Sequence, residues 1–368
     1  MKVLIFTWKD RQHPHAGGAE VVNEELVRRL VADGHDVTML VGGFPGSAAE
    51  EAVDGYRVIR VGSWYTVYVR AYQYYKKNLQ GWADLVIEEV NTVPFFTKFY
   101  VKEPSLLFFH QLCRRIWFYQ MSAPVNLMGF LAEPLYLRLI SRRRGKVITV
   151  SESTRRDLQR YGFDQEEIAL ISEGIKIKPI DNLDKVRKYT KPTLLSFGCV
   201  RSMKRTLHQV KAFEIAKERI PHLQLRIAGQ LAGRYGKKVW RYIMKSRFSD
   251  DIEYMGAIPD DERDELMQKS HVILQTAVKE GWGLTITEAA SQGTPAAVYD
   301  VDGLRDSVRD GETGVVTACN PSALAEGIVA VLQDETVYAT MREAAWRWSQ
   351  DITFDRSYSD FKEAVELA

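Results

Sequence analysis

His271-Val-Ile-Leu-Gln-Thr-Ala277 runs into Lys279-Glu-Gly-Trp-Gly-Leu-Thr-Ile-Thr-Glu-Ala-Ala-Ser-Gln-Gly-Thr-Pro295 and then into Ala296-Ala-Val-Tyr299, and this run decides the fold. The first segment is a short apolar run of the kind a fully buried strand shows. Gly281 and Gly283 supply a flexible turn, and Leu284 to Gln292 reads as a helix. Gly293 closes that helix, with Pro295 two residues beyond it. Ala296 to Tyr299 is the next strand. In a strand, glycine loop, helix, strand unit the loop lies at the carboxyl end of the strand, and the helix aims its free N–H groups outward. That end carries a partial positive charge suited to a phosphate or pyrophosphate. Glu280 falls in the loop and Glu288, eight positions on, about one turn inside the helix. One carboxylate can hold hydroxyls on one side of a diphosphate while the other holds hydroxyls on the far side. Two glutamates at this spacing are by themselves usually a solvated helix face. Their placement around a glycine loop between strand and helix is what gives them a ligand.

The pair with Gly-Trp-Gly-Leu between its members resembles the two-glutamate motif of retaining glycosyltransferases of family 4. The resemblance implies an α/β chain of the GT-B fold, two Rossmann-like doubly wound parallel-sheet domains facing a central cleft. It implies that Glu280 contacts a donor sugar and Glu288 the ribose hydroxyls. The backbone of Gly281, Trp282, Gly283, Leu284 and Thr285 would then approach the sugar and phosphates.

Working outward, 368 residues suggest two domains, each large enough for its own core. Hydrophobic residues at 45% and charged residues at 27% are ordinary for a globular protein, and a net charge of +2 gives no case for nucleic acid. Cys113, Cys199 and Cys319 are scattered and odd in number, which excludes a disulfide framework and zinc spacing and favours a reducing compartment. The opening Met1-Lys-Val-Leu-Ile-Phe-Thr7 turns polar too soon for a signal peptide, and no run of about 18 apolar residues is present. The expected location is cytoplasmic, with a peripheral position at the inner face of the membrane as the alternative.

Strands at Lys2 to Trp8, Asp36 to Val41, Tyr56 to Val61, Leu85 to Ile87, Ser105 to Phe109 and Lys146 to Val150 alternate with helices, starting with Ala19 to Asp33, whose Val22, Leu26, Val27, Leu30 and Val31 share one face. Ile175 to Asp184 breaks the alternation and reads as a linker between a domain at 1–178 and one at 185–349. The second domain restarts with strands Thr193 to Phe197, Leu223 to Ala228 and Ile252 to Met255. The tail, 350–368, is expected to cross back onto the first domain, as it does in GT-B relatives.

Gly17 and Gly18 follow the first strand in place of G-x-G-x-x-G, which argues against a nicotinamide enzyme. The glycine pair resembles the amino-terminal glycine loop of family 4, which faces the donor phosphates; otherwise it is an ordinary helix start. Phe197-Gly-Cys-Val-Arg-Ser-Met-Lys-Arg-Thr206 resembles the family segment whose arginine and lysine neutralise the leaving diphosphate. Lys204 matches the lysine, while Cys199 stands in the arginine column. Either Arg201 or Arg205 supplies the missing charge, with Arg201 preferred and Arg205 read as solvated. Charge-assisted bonds of this kind favour departure of a diphosphate. In Tyr254-Met-Gly-Ala-Ile-Pro259 the backbone of Ala257 and Ile258 matches the family turn that meets the nucleobase. Asp260 to Glu265 reads as an acidic helix start with a capping role. His110, at the end of a first-domain strand, matches a family histidine that reaches the donor sugar; His13 and His15 are weaker candidates. Gly303 to Gly314 resembles a structural turn of the family. Asp300-Val-Asp302 imitates a metal-binding D-x-D, but the GT-B fold works without a metal, so neither metal nor cofactor is expected.

Trp64, Tyr65, Tyr68, Tyr72, Tyr74 and Tyr75 cluster before Lys76-Lys77. Residues 114–146 combine Trp117, Phe118, Tyr119, Leu127, Met128, Phe130 and Leu131 with Arg142-Arg-Arg144 and Lys146. Such a mixture suits an acceptor groove or an anionic membrane surface. Alternatively the apolar members are core and the arginines a solvated helix end. Glu133-Pro134 should kink or start a helix there. The resemblance implies a retaining, metal-independent transfer from a nucleotide-diphosphate sugar to the hydroxyl of an unidentified glycan, lipid-linked or small-molecule acceptor. A GT-B epimerase or phosphorylase, or a catalytically idle GT-B partner subunit, stands as the alternative.

Overall fold

In the computed structural model, which describes residues 1–366, strands and helices alternate along the chain and gather into two units. The first takes in Met1–Trp117, Met121–Gly174 and the chain from Thr353 on; the second takes in Phe118–Gln120 and Ile175–Ile352.

The first unit holds β1 (Lys2–Phe6), β2 (Asp36–Val41), β3 (Glu50–Val53), β4 (Tyr56–Arg60), β5 (Leu85–Glu89), β6 (Ser105–Phe109), β7 (Val147–Thr149) and β8 (Ile168–Leu170), in the order β3-β4-β2-β1-β5-β6-β7-β8. Every pair is parallel except β3 with β4. Val3 to Phe6 are buried without alternation, because helices cover both faces of a parallel sheet. Leu26, Val27 and Leu30 of the Gly18–Ala32 helix are buried. Gly34, at φ +82°, ends that helix with its N–H on the Val31 carbonyl. The antiparallel edge strand β3 is Glu-Glu-Ala-Val with no buried residue, so its sequence carried no apolar signal.

The helix Phe354–Glu366 belongs to this unit. Tyr358 donates to Asp33 at 2.9 Å, and Asp360 accepts from the Ser172 N–H and hydroxyl at 2.8 and 2.6 Å. A Cβ on Gly174 would lie 2.4 Å from the Phe354 ring, so only glycine lets that ring seat.

The second unit has β9 (Thr193–Phe197), β10 (Gln224–Ala228), β11 (Ile252–Gly256), β12 (Val272–Gln275), β13 (Ala296–Tyr299) and β14 (Gly314–Thr317), all parallel, in the order β11-β10-β9-β12-β13-β14. Consecutive residues bury on opposite faces. Leu194, Leu225 and Leu274 pack with Phe213 and Ile328, while Leu195, Ile273 and Val298 pack with Ile286 and Ala289.

Three local expectations differ from what is observed. The segment read as a linker is part of the second unit: Ile175 and Ile177 are buried in its core, the Ile180 N–H meets the Ser291 carbonyl, and Trp346 donates to the Ile180 carbonyl. Pro134 does not start a helix but lies within one, Val125–Ser141. Buried Glu133 anchors that helix by accepting from the Cys113 and Arg114 N–H groups and from the Trp117 indole at 2.8, 2.6 and 3.0 Å. The Asp260–Lys269 helix is preceded by Pro259 and has no side-chain cap, so its acids act on the helix dipole from within the first turn.

Candidate active site

The second unit brings the glycine loop, the Lys204 turn and the Gly303 turn together at the carboxyl ends of its strands. Gly283, at φ +114°, sits at the N-cap of the Leu284–Ser291 helix, a conformation only glycine takes without strain. Gln275, the last residue of β12, donates to the Phe197 carbonyl at 3.1 Å and to the Thr285 hydroxyl at 3.0 Å, tying the helix start to β9. The loop is closed from the other side by Gly303. The Glu280 N–H bonds the Asp302 carbonyl at 3.0 Å, and a Cβ on Gly303 would fall 2.2 Å from the Glu280 carbonyl oxygen. The turn read as structural thus shapes the backbone of the first glutamate. Trp282 packs against Trp348, ring centroids 6.3 Å apart, and its indole N–H is buried without a hydrogen-bond partner among the described residues.

Lys204 reaches this loop because its own turn is stitched to β12. The Thr276 hydroxyl donates to the Lys204 carbonyl at 2.9 Å, and the Val278 N–H bonds the Met203 carbonyl at 2.9 Å. The Lys204 ammonium then lies 2.6 Å from Glu280 Oε1, with both side chains partly buried. Cation and carboxylate therefore meet beside the amino terminus of the Leu284–Ser291 helix. Arg201 and Cys199 are both exposed. Arg205 takes the left-handed φ of +51° at the start of the Thr206–Lys217 helix.

Glu288 has a different environment. Burial pushes its carboxyl up to about 7, against the attraction of Arg263, while Asp264 and Asp260 push in the same direction as burial. Arg263, which pairs with Asp260 and Asp264, carries no local signal of this role, since its attraction for Glu288 comes from another helix. Ala257 is exposed and Ile258 half-buried in the turn after β11. Gly198 and Gly229, at φ +119° and +142°, end β9 and β10, and a Cβ on Gly229 would lie 2.0 Å from the Gly198 carbonyl oxygen. The sequence reading passed over Gly229, whose glycine identity after a strand was the available cue. Asp300 and Asp302 are engaged by cations: Asp302 lies 3.0 Å from Lys279, and Arg305 pairs with both carboxylates.

In the first unit Gly17 is the N-cap of the Gly18–Ala32 helix. Its N–H is held by Glu20 Oε2 at 2.6 Å, and the same carboxylate pairs with Lys9 at 3.1 Å. His110, just past β6, is buried, and its Nε2 lies 3.1 Å from Asn23 Oδ1. Burial pushes the His110 imidazole down to about 4, so it is neutral at neutral pH. His13 is also lowered, by burial first and then by Lys9.

On the Val125–Ser141 helix, Val125, Leu127, Met128, Leu131, Leu135 and Leu139 are exposed, and Arg142, Arg143 and Arg144 follow, exposed as well. Trp64, Tyr65 and Tyr72 are also exposed, whereas Trp117 and Tyr75 are core. Among the described residues no helix is long and apolar enough to cross a membrane.

Two parallel-sheet α/β units, with glycine-rich strand ends around a lysine and two glutamates in the second, define a GT-B fold. Residues 180–348 match the model of glycosyl transferases group 1, and residues 16–178 match that of glycosyltransferase family 4. The chain belongs to this family of group 1, family 4 glycosyltransferases. It is 29% identical over 206 residues to a poly(glycerol-phosphate) alpha-glucosyltransferase of Bacillus subtilis, a match covering 55% of this chain and 30% of that protein. Over 240 residues it is 25% identical to a phosphatidyl-myo-inositol mannosyltransferase of Mycobacterium tuberculosis, covering 60% and 59%. The match thus spans less than two thirds of either relative. Sucrose-phosphate synthase of Thermosynechococcus elongatus has a similar fold, with a TM-score of 0.79 at 18% identity over 100% of this chain and 98% of that one. Anabaena HepE, solved with UDP and glucose, gives 0.71 at 16% identity over the full length of both.

Proposed function

We propose that the protein transfers a sugar from a nucleotide-diphosphate sugar to an acceptor hydroxyl, with retention at the anomeric carbon and without a metal. The observation that carries this reading is the Lys204–Glu280 pair, 2.6 Å apart, beside the free N–H groups at the start of the Leu284–Ser291 helix. A diphosphate entering there competes for Lys204 and frees the Glu280 carboxylate for the sugar hydroxyls. Lys204 and the helix terminus then stabilise the charge that grows on the departing diphosphate. Glu288, one turn into the helix, takes the ribose hydroxyls. The acceptor oxygen bonds to the anomeric carbon on the face the diphosphate leaves. The carbon–oxygen bond to phosphate breaks with its electron pair going to the diphosphate, whose oxygen takes the acceptor proton. No enzymatic nucleophile is needed. Arg201 supplies the second cation.

For the acceptor, the exposed apolar face of the Val125–Ser141 helix beside Arg142, Arg143 and Arg144 supports docking on an anionic lipid surface. The names of the two curated relatives, with their poly(glycerol-phosphate) and phosphatidyl-myo-inositol, agree with an anionic acceptor at that surface.

Product analysis tests the reaction. Under transfer, free nucleoside diphosphate accumulates only when acceptor is present, with the α or β configuration of the donor kept in the product. Nucleoside diphosphate formed equally without acceptor favours a hydrolysing epimerase. The exposed Cys199 in the arginine column favours one further reading, an idle partner subunit, for which a donor that never turns over even after Cys199→Arg would be the signature.

A further inference from the structure

Beneath the Gly18–Ala32 helix lies a group of polar side chains that the proposed reaction leaves unused. Thr7, Asn23, Glu89 and His110 are all at least nine-tenths buried. Glu89 is the last residue of β5, His110 the first after the neighbouring β6, and Asn23 projects from the helix above them. Asn23 Oδ1 meets His110 Nε2 at 3.1 Å. Asn23 Nδ2 and Glu89 Oε2 are both buried with no hydrogen-bond partner among the described residues. Both residues line a cavity of about 10 Å³ otherwise walled by apolar side chains such as Ile5, Leu26, Phe108 and Phe361. Asn23 and Thr7 lie close enough to favour the ionised Glu89 carboxylate, but burial outweighs them and, with the nearby Glu20 charge, pushes it up to about 8. Buried polar groups left without partners are uncommon and call for a reason.

The geometry fixes the proton on the imidazole. An amide oxygen only accepts, so a contact from Nε2 to Oδ1 requires the proton on Nε2. A neutral ring with Nε2–H presents Nδ1 as a hydrogen-bond acceptor. The reversed amide would place Nδ2 against Nε2 and move the proton to Nδ1, turning the free nitrogen into a donor. Glu89 shares the small cavity with Asn23 and is the other polar residue lining it.

We propose that Asn23 is a positioning residue for His110: Asn23 Oδ1 holds His110 as the Nε2–H tautomer, leaving Nδ1 to accept a hydrogen bond from a substrate hydroxyl, and Glu89, which lines the same small cavity, favours the amide with its nitrogen on the cavity side. The catalytic consequence rests on the reading of His110 as a group that meets substrate; the tautomer does not. A histidine given this orientation discriminates for a hydroxyl donor and against a bare ether or carbonyl oxygen at that position.

The experiment reads the tautomer first and turnover second. Nitrogen-15 NMR of imidazole-labelled protein, free of ligand at pH 7.5, is expected to show His110 Nε2 protonated and Nδ1 unprotonated. Asn23→Leu should convert this to a mixture or to the Nδ1–H form, whereas Glu89→Gln, which keeps an acceptor against the amide, should retain Nε2–H. In kinetics Asn23→Leu should lower kcat about tenfold, roughly one hydrogen bond's worth, with a smaller change in KM. An Nδ1–H tautomer in the unaltered protein, or Nε2–H persisting in Asn23→Leu, overturns the proposal. Because the spectrum needs neither donor nor acceptor, its result is independent of whether the proposed transfer reaction is correct.

Discussion

Glu288 should make donor binding depend on pH within the physiological range, where an ordinary carboxylate site does not. An exposed glutamate is ionised throughout the physiological range, so its hydrogen bonds to a ribose are insensitive to pH between 6 and 8. Here burial lifts the carboxyl to about 7, with Arg263 pulling it down and Asp264 and Asp260 pushing it up. At pH 6 about nine-tenths of the free protein holds a proton on Glu288, and at pH 8 about one-tenth does. If the ribose diol binds the ionised form, the apparent Kd is multiplied by about eleven at pH 6 and by about 1.1 at pH 8, a tenfold weakening on acidification. His110, ionising at about 4, stays neutral over this window and does not contribute. The sign for stability is reversed. A folded value above the unfolded one means that the free protein loses stability as pH rises from about 4.5 towards 7, because the unfolded chain gives up the proton first. The assay is isothermal titration with an intact nucleotide sugar, whose diphosphate diester does not titrate here, at pH 6, 7 and 8, for the natural protein and Glu288→Gln. Gln keeps an acceptor but not the charge, so its profile should be flat. A flat profile in the natural protein, or an equal slope in both, would refute the ribose role of Glu288.

Other changes probe the parts that hold the site. Gly303→Ala forces a left-handed φ of +82° on alanine and places its Cβ 2.2 Å from the Glu280 carbonyl. Donor affinity and turnover should fall at least tenfold while Tm drops by a few degrees, and unchanged kinetics would remove Gly303 from the site. Lys188 is half-buried, with its Nζ 2.7 Å from the Ser270 and Gly293 carbonyls and the Thr294 hydroxyl. Lys188→Met removes the donor these three groups share behind the Leu284–Ser291 helix and should cost about 3 kcal/mol in urea unfolding; a loss under about 0.5 kcal/mol would mean that the Thr294 hydroxyl and Arg342, which also reach the Ser270 and Gly293 carbonyls, satisfy them alone. Reversing the charge of Arg142, Arg143 and Arg144 to Glu should abolish co-sedimentation with anionic vesicles, and the natural protein should detach as salt rises from about 0.1 M towards 1 M. Binding indifferent to salt and to this change would remove the basic cluster from the docking surface.

How far the sequence carried depends on whether a feature is local. The strand, loop and helix around Glu280 were legible because Gly283 and Gly293 sit where a left-handed φ is needed, at +114° and +71°, and because the flanking runs are apolar on both faces. The doubly wound sheets followed from the same alternation. A helix start at Pro134 lost to a tertiary constraint: the helix runs through the proline, and Glu133 anchors it through three donors from residues 113–117 that no window around the proline contains. β3 was missed because an edge strand of Glu-Glu-Ala-Val needs no apolar face. Ile175 to Asp184 lacks periodicity and so resembles a linker, although two isoleucines spaced by one residue anchor its start in the core of the second unit. At the site, residue types were legible and pairings were not. Lys204 meets Glu280 across 76 positions of chain, Arg263 approaches Glu288 from a separate helix, and Asn23, Glu89 and His110 come from three elements.

The measurement closest to the central claim is a thermal-shift series with UDP-, GDP-, ADP- and dTDP-sugars on the natural protein and on Glu280→Gln. A ligand at about a hundred times its Kd adds about 2.7 kcal/mol, worth several degrees for a chain of this size. The account predicts a shift with one base family, largely kept in Glu280→Gln while turnover of that donor is lost. No shift with any nucleotide sugar would contradict it, and so would full turnover in Glu280→Gln.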